Sequence, residues 1–216
     1  RILVKKIGEK EPLRIRHQLF SSNMNEFKSI GAIITSNTSG NTYATTTDHD
    51  LNSYLNVGDE VRVGTRIVIV QSIASISGKT QSITFRSENR LETESIFTTG
   101  SYTLASDSVL ERRAYNKKDK TLLTDFPLVA NRNSALRVKF FSKEFSFLYA
   151  IVSAVDVDKK LLTLSFSDKA YFDSDGSTSN EAAYHSQGTM LDYMKGKYAI
   201  LVEKLHGAVE RIDNFK

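Results

Sequence analysis

The chain has no cysteine and no tryptophan, and only two prolines, Pro12 and Pro127. Without cysteine there can be no disulfide and no thiolate metal ligand, and the redox compartment is left undecided. Two isolated prolines exclude a proline-rich linker. No run of about 18 apolar residues occurs, so a membrane-spanning helix is not expected. Neither sign of charge is in large excess. Against 25 acidic residues stand 29 basic ones, a balance of +4, whereas a dedicated nucleic-acid binder concentrates more basic charge on one face. The four histidines (His17, His49, His185 and His206) are scattered, and neither an HExxH nor a GxSxG pattern is present. The first residue is Arg1 rather than methionine and strand-like Ile2-Leu3-Val4 follows at once, which is the expectation for a processed or truncated chain, and no secretory n-region and h-region are present to decide it.

What is present reads as β-structure. A chain of 216 residues that is 40% hydrophobic suits one large or two small domains. The clearest stretch runs from Val57 to Phe85. Val61 and Val63 alternate with Arg62 and Gly64, Ile67 to Val70 is an aliphatic run, and Ser77 to Thr80 makes a turn back to Ile83 and Phe85. Period-two apolar spacing bounded by Gly and Ser predicts strands and a hairpin. Similar runs predict strands at 1–7, 13–20, 27–35, 42–47, 96–104 and 109–115. Further strands are expected at 121–126, 137–142, 145–157 and 161–166, with 48–55 as one short helical turn and 87–94 as a loop or short helix. Sliding the chain by 81 residues sets Val70 on Ile151, Lys79 on Lys160 and Phe85 on Phe166, a weak sign of duplicated hairpins.

The C-terminal part has a different rhythm. Apolar residues fall at Leu191, Met194, Tyr198, Leu201, Leu205, Ala208, Ile212 and Phe215, with alternating steps of 3 and 4, the spacing of a coiled-coil seam. The spacing predicts a helix over 189–215, capped by Thr189, that is marginal alone and needs a partner surface. The expected organisation is an N-terminal pair of strands or arm (1–29) and a first β-domain with an insertion (30–135). A second β-unit or continuation (136–172), a polar linker (173–188) and the C-terminal helix (189–216) follow. The expected fold class is mainly β: one or two small antiparallel barrel or sandwich domains plus a C-terminal amphipathic α-helix. The partner surface is either the chain's own β-domain or another subunit; as a subunit interface the expected seam is Leu191, Met194, Tyr198, Leu201, Leu205, Ile212 and Phe215.

Motifs for chemistry are sparse. Gly78-Lys79-Thr80 lacks the earlier glycine of a phosphate loop, because Ile73 stands there, and it sits in a hairpin turn. Asp173 to Gly176 with Glu181 misses both anchors of a calcium loop, at Tyr171 and Ala182. Asp48-His49-Asp50 offers adjacent ligands that rarely point the same way. No catalytic, metal or cofactor residues are therefore assigned, and an enzyme is not expected. Arg112, Arg113, Lys117, Lys118 and Lys120, near Tyr115, form a basic and aromatic cluster that a nucleic-acid-binding barrel would use. Acids at Glu111, Asp119 and Asp125 dilute it. A carbohydrate-binding module is a further alternative, with Tyr43, Tyr54, Tyr102 and Tyr115 as an exposed aromatic row.

Gly31-Ala32-Ile33-Ile34-Thr35, Tyr43 to Thr47, Leu55 to Val61 and Ile69 to Ile73 form an ordered series. Over about residues 30–86 this series resembles the small β-modules of tailed-bacteriophage virion proteins, where a G-x-I/V-x-T strand and a Thr-rich strand lead to an L-x-x-G-D-x-V turn. The resemblance implies a non-enzymatic component of a neck, tail, baseplate or capsid. Its partners would be other virion proteins and copies of itself, in a particle assembled in the host cytoplasm. The family's role is assembly, so the resemblance assigns no functional residue.

Overall fold

Alternating apolar and polar residues become strand along most of the chain. The computed structural model describes residues 14–23, 25–125, 135–141, 148–166 and 199–207. These are mainly β, in antiparallel sheets, and the only helix among the described residues is a 3-10 turn at Leu51–Ser53. The chain forms two units. One is continuous, Glu26–Ala114, and the other draws on the chain before and after it. The cuts therefore fall at 25/26 and 114/115, not at 29/30 and 135/136. The reason is pairing: Phe27 lies opposite Arg113, and the Ala114 N–H donates to the Glu26 carbonyl at 2.7 Å, so the first and last strands of the inserted unit lock side by side.

In the continuous unit, the strands after β1 (Arg14–Asn23) are β2 (Phe27–Ser39), β3 (Thr42–Thr46), β4 (Glu60–Val63), β5 (Arg66–Ile73), β6 (Thr80–Leu91), β7 (Thr98–Thr99) and β8 (Val109–Arg113). Their order is β3-β2-β8-β4-β5-β6-β7, and β3 also pairs with β6. Six antiparallel strands thus close into a barrel, which leaves no open edge in the ring. Side chains alternate as closure requires, with Ile30, Ala32, Ile34, Val61, Val63 and Leu110 among those buried inside. The Asn56-Val57-Gly58-Asp59 turn opens β4. Gly58 adopts φ +86°, a conformation that favours glycine, and the Asp59 carboxylate accepts from the Asn56 N–H at 2.9 Å. Gly64 (φ +61°) occupies the first position of the two-residue β4–β5 turn, where a type II′ hairpin needs glycine.

The second unit holds β9 (Tyr115–Asn116), β10 (Thr121–Leu123), β11 (Ala135–Phe141), β12 (Leu148–Asp156), β13 (Leu161–Phe166) and β14 (Ala199–Gly207). With β1 they form an open antiparallel sheet ordered β1-β14-β11-β12-β13-β10-β9. Tyr115, Leu122, Val138, Phe140, Leu162 and Leu164 are buried in it, and the Tyr115 and Phe140 rings meet edge-on at 5.2 Å.

Four expectations need correcting. Residues 199–207, the middle of the expected helix, are a strand: β14 lies between β1 and β11 and pairs with both. Ala199 to Leu205 includes β-branched Ile200 and Val202, and ladders on both sides satisfy its backbone, whereas a solitary helix here would be marginal. The remaining seam residues of that helix lie outside the described residues. Within 96–104 only Thr98–Thr99 is strand, while β6 runs on through the expected loop to Leu91. The run 109–115 breaks at Ala114, because its two halves belong to different sheets. Finally, the hairpin likeness fails in register. Val70 pairs with Phe85, whereas Phe166 pairs with Ala150 rather than Ile151, so the matched residues differ by one position in register.

Candidate functional site

Antiparallel order sorts the barrel's connections between two ends. At one end lie Glu26 and Ala114, the 47–59 connection and the 74–79 turn. At the other lie the 40–41 and 64–65 turns and the 92–108 segment. We call these the junction end and the distal end.

Three polar residues organise the junction end. Arg112 is 1% exposed, points into the barrel in step with Leu110 and Ala114, and donates to three carbonyls: Arg113 (3.1 Å), Tyr54 (2.8 Å) and Ala114 (3.4 Å). Gln81, also buried, accepts from the Leu51 N–H at 2.8 Å and donates to Asp50 Oδ1 and the Ala74 carbonyl. Asp50 in turn caps the 3-10 turn through the Asn52 N–H. Leu51, Tyr54 and Leu55 are thereby held as a buried cover. Outside, the exposed Lys79 donates to Asp48 at 2.7 Å. This bond holds the Asp48 carboxyl below and the Lys79 ammonium above their ordinary values.

The distal end is closed by the 92–108 segment. Tyr102 and Leu104 are buried, the Tyr102 hydroxyl donates to the Arg86 carbonyl at 2.8 Å, and the Leu104 N–H donates to the Tyr43 hydroxyl at 3.2 Å. Burial, and then the neighbouring Tyr43, push the Tyr102 phenol well above its usual value, against the pull of Arg66 stacked on its ring. The buried Asn89 amide donates to the carbonyls of Ser87, Thr98 and Gly100. These bonds fix the segment by side chains where strand pairing is short.

A charged band crosses the barrel wall between the ends. Arg62 donates to Glu111 and Glu92, Arg113 to Glu60, and both guanidinium groups stack on Phe27, at 5.2 and 3.9 Å from its ring centre. The bond to Glu111, more than the one to Glu92, keeps Arg62 charged above its ordinary range, against the effect of burial. Three arginines (Arg62, Arg90, Arg113) meet three glutamates (Glu60, Glu92, Glu111), so the band carries no net charge.

The sequence-predicted sites scatter. Of the basic cluster, Arg112 is inside the barrel and Arg113 is on the band. Lys117, Lys118 and Lys120 are exposed together on the β9–β10 turn of the other unit. A common contact through all five is thus excluded for Arg112, whose donors serve carbonyls. Of the interface set, Leu201 and Leu205 lie on β14. Leu191, Met194, Tyr198, Ile212 and Phe215 lie outside the described residues. The aromatic row is not a row, because Tyr43, Tyr54, Tyr102 and Tyr115 are all buried. Carbohydrate stacking on them is excluded. Among the described residues no group of three or more His, Asp or Glu is placed to hold a metal ion, and no helix is long and apolar enough to cross a membrane. Sequence reading missed Arg112 as an internal clamp, although its parity with Leu110 was the available signal. Comparison with family models, with curated proteins and with solved structures finds no match for this chain.

Proposed function

We propose that the chain is a non-catalytic assembly subunit, a building block of a virus particle of the tailed-phage kind, which works by contacts with neighbouring subunits. The observation that carries the reading is how the barrel uses its polar groups. Arg112, Gln81 and Asn89 are buried and hydrogen-bonded to backbone that closes the two ends. The charged wall pairs arginine with glutamate. Side chains of reactive type are thus spent on rigidity, which suits a structural block presenting fixed surfaces. The virion assignment rests on the G-x-I-I-T, Thr-rich and V-G-D series, which occupies β2, β3 and the turn into β4 of this barrel.

Nucleic-acid binding is the second reading, favoured by the exposed Lys117, Lys118 and Lys120 on one turn. Negative-stain microscopy and sizing of the concentrated full chain, with and without DNA and RNA, decide between them. The assembly reading expects discrete oligomers or polymers at physiological salt and no retained nucleic acid. A monomer that binds nucleic acid, with affinity falling steeply as salt rises, would replace it with the second reading.

A further inference from the structure

The two ends of the barrel are closed with unequal security. At the junction end the cover is a 3-10 turn with its own backbone bonds, and Leu51, Tyr54 and Leu55 are buried. Arg112 donates to its Tyr54 carbonyl, and its Leu51 N–H donates to Gln81, both at 2.8 Å. At the distal end the cover is residues 95–106, of which only Tyr102 and Leu104 are buried. Strand-forming residues fill 96–104, yet only Thr98–Thr99 pairs, with Asn89 and Glu88. Most other bonds to this cover are long. The Asn89 amide reaches the Thr98 and Gly100 carbonyls at 3.4 Å, and the Gly100 N–H reaches the Ser87 carbonyl at 3.3 Å. The Thr98 hydroxyl donates to the Asn89 carbonyl at 3.3 Å, and the Leu104 N–H to the Tyr43 hydroxyl at 3.2 Å. Hydrogen bonds weaken toward that length. The short one is from the Tyr102 hydroxyl to the Arg86 carbonyl, at 2.8 Å. Two guanidinium groups add ring contacts, Arg90 on Phe97 and Arg66 on Tyr102.

Both flanks of the segment are firm. The Glu92 N–H donates to the Thr65 carbonyl at 2.8 Å, Arg90 to the Glu94 carbonyl at 2.6 Å, and the Asp107 N–H to the Ile34 carbonyl at 2.8 Å. The ring needs no backbone pairing from the segment, because each of its strands has a ring neighbour on both sides. We propose that residues 95–106 form a strap that lifts from the distal end as one unit while the ring stays shut. Openings of this kind fall on segments with few buried apolar contacts and little strand pairing, held between firm anchors. Lifting takes the strap's donors from the Arg86, Ser87 and Asn89 carbonyls. The distal edge of β6 thus alternates between a covered and an open state. This device lies outside the assembly reading and does not rest on it.

The test is native-state hydrogen exchange of the full chain, followed by NMR in mild denaturant. The Gly100 and Leu104 amides report on the strap, Leu55 on the junction cover and Val70 on the ring. A strap that lifts as a unit gives Gly100 and Leu104 one shared protection level, about a hundredfold below that of Leu55 and Val70 and little changed by denaturant. The chain has no cysteine, so Glu88→Cys with Thr99→Cys, a directly opposed and exposed pair, can be oxidised to tie the strap down. Oxidation should raise the protection of Gly100 and, five residues beyond the tie, of Leu104, and reduction should return both. Strap amides protected to the level of Val70, Gly100 and Leu104 opening at different levels, or a Leu104 unmoved by the crosslink would each overturn the inference. The assembly reading would stand untouched by any of these results.

Discussion

The barrel and the open sheet pair their strands over different spans of chain. Every barrel strand comes from one continuous stretch, and the ring closes on itself through β3 and β6. The open sheet needs both halves of the chain: Arg14 pairs with Gly207, and β14 sits between β1 and β11. The barrel brings its ends together at Glu26 and Ala114 with one backbone hydrogen bond. A closed ring with adjacent ends carries its own core, so it should survive damage that the open sheet does not.

Ending the chain at Ser174 should have the largest effect. It removes β14, so β1 loses its partner and β11 one of its two. Native-state hydrogen exchange should then show lost protection in β11, with Ile34, Val61 and Ile83 still protected. Equal loss in both units would erase the distinction. Arg112→Leu should act the other way and destabilise the barrel, by about 2–3 kcal/mol as the carbonyls it serves lose their donor. Denaturant unfolding followed by barrel amides measures it.

A smaller contrast is in pH. The folded barrel holds the Tyr102 phenol protonated above its usual value of 10.0, so the unfolded chain releases that proton first. Barrel stability should therefore fall as pH climbs past 10, and Tyr102→Phe should remove that part of the fall in melting scans. The smallest effect belongs to the open sheet. Lys120 and Lys160 both adopt φ +55° in turns, where a side chain is disfavoured. Lys120→Gly and Lys160→Gly should each raise stability by about 0.5 kcal/mol, read from the denaturation midpoint.

The legible parts of this fold were the local ones. The β5–β6 hairpin and the strands at 137–141 and 161–166 follow from period-two spacing between near neighbours, which needs no knowledge of distant partners. Ala199 to Leu205 satisfies a period of 3.5 as well as a strand, and only the ladders with β1 and β11, from far away in the chain, decide for the strand. The four tyrosines illustrate a second limit. Their burial depends on parity in closed strands for Tyr43 and on covering segments for Tyr54 and Tyr102, neither of which composition reveals. In the sequence Arg112 reads as one of a basic cluster because charge is legible at once, whereas its inward direction follows from alternation with Leu110.

The most direct test of the account is the stability of the fragment Glu26–Ala114 alone, followed by amide exchange and thermal melting. The account predicts a cooperatively melting β-domain in which the amides of Ile34, Val61, Ile83 and Leu110 are strongly protected. A fragment that is unfolded, or that orders only when the rest of the chain is added, would contradict the claim that the barrel is complete in itself.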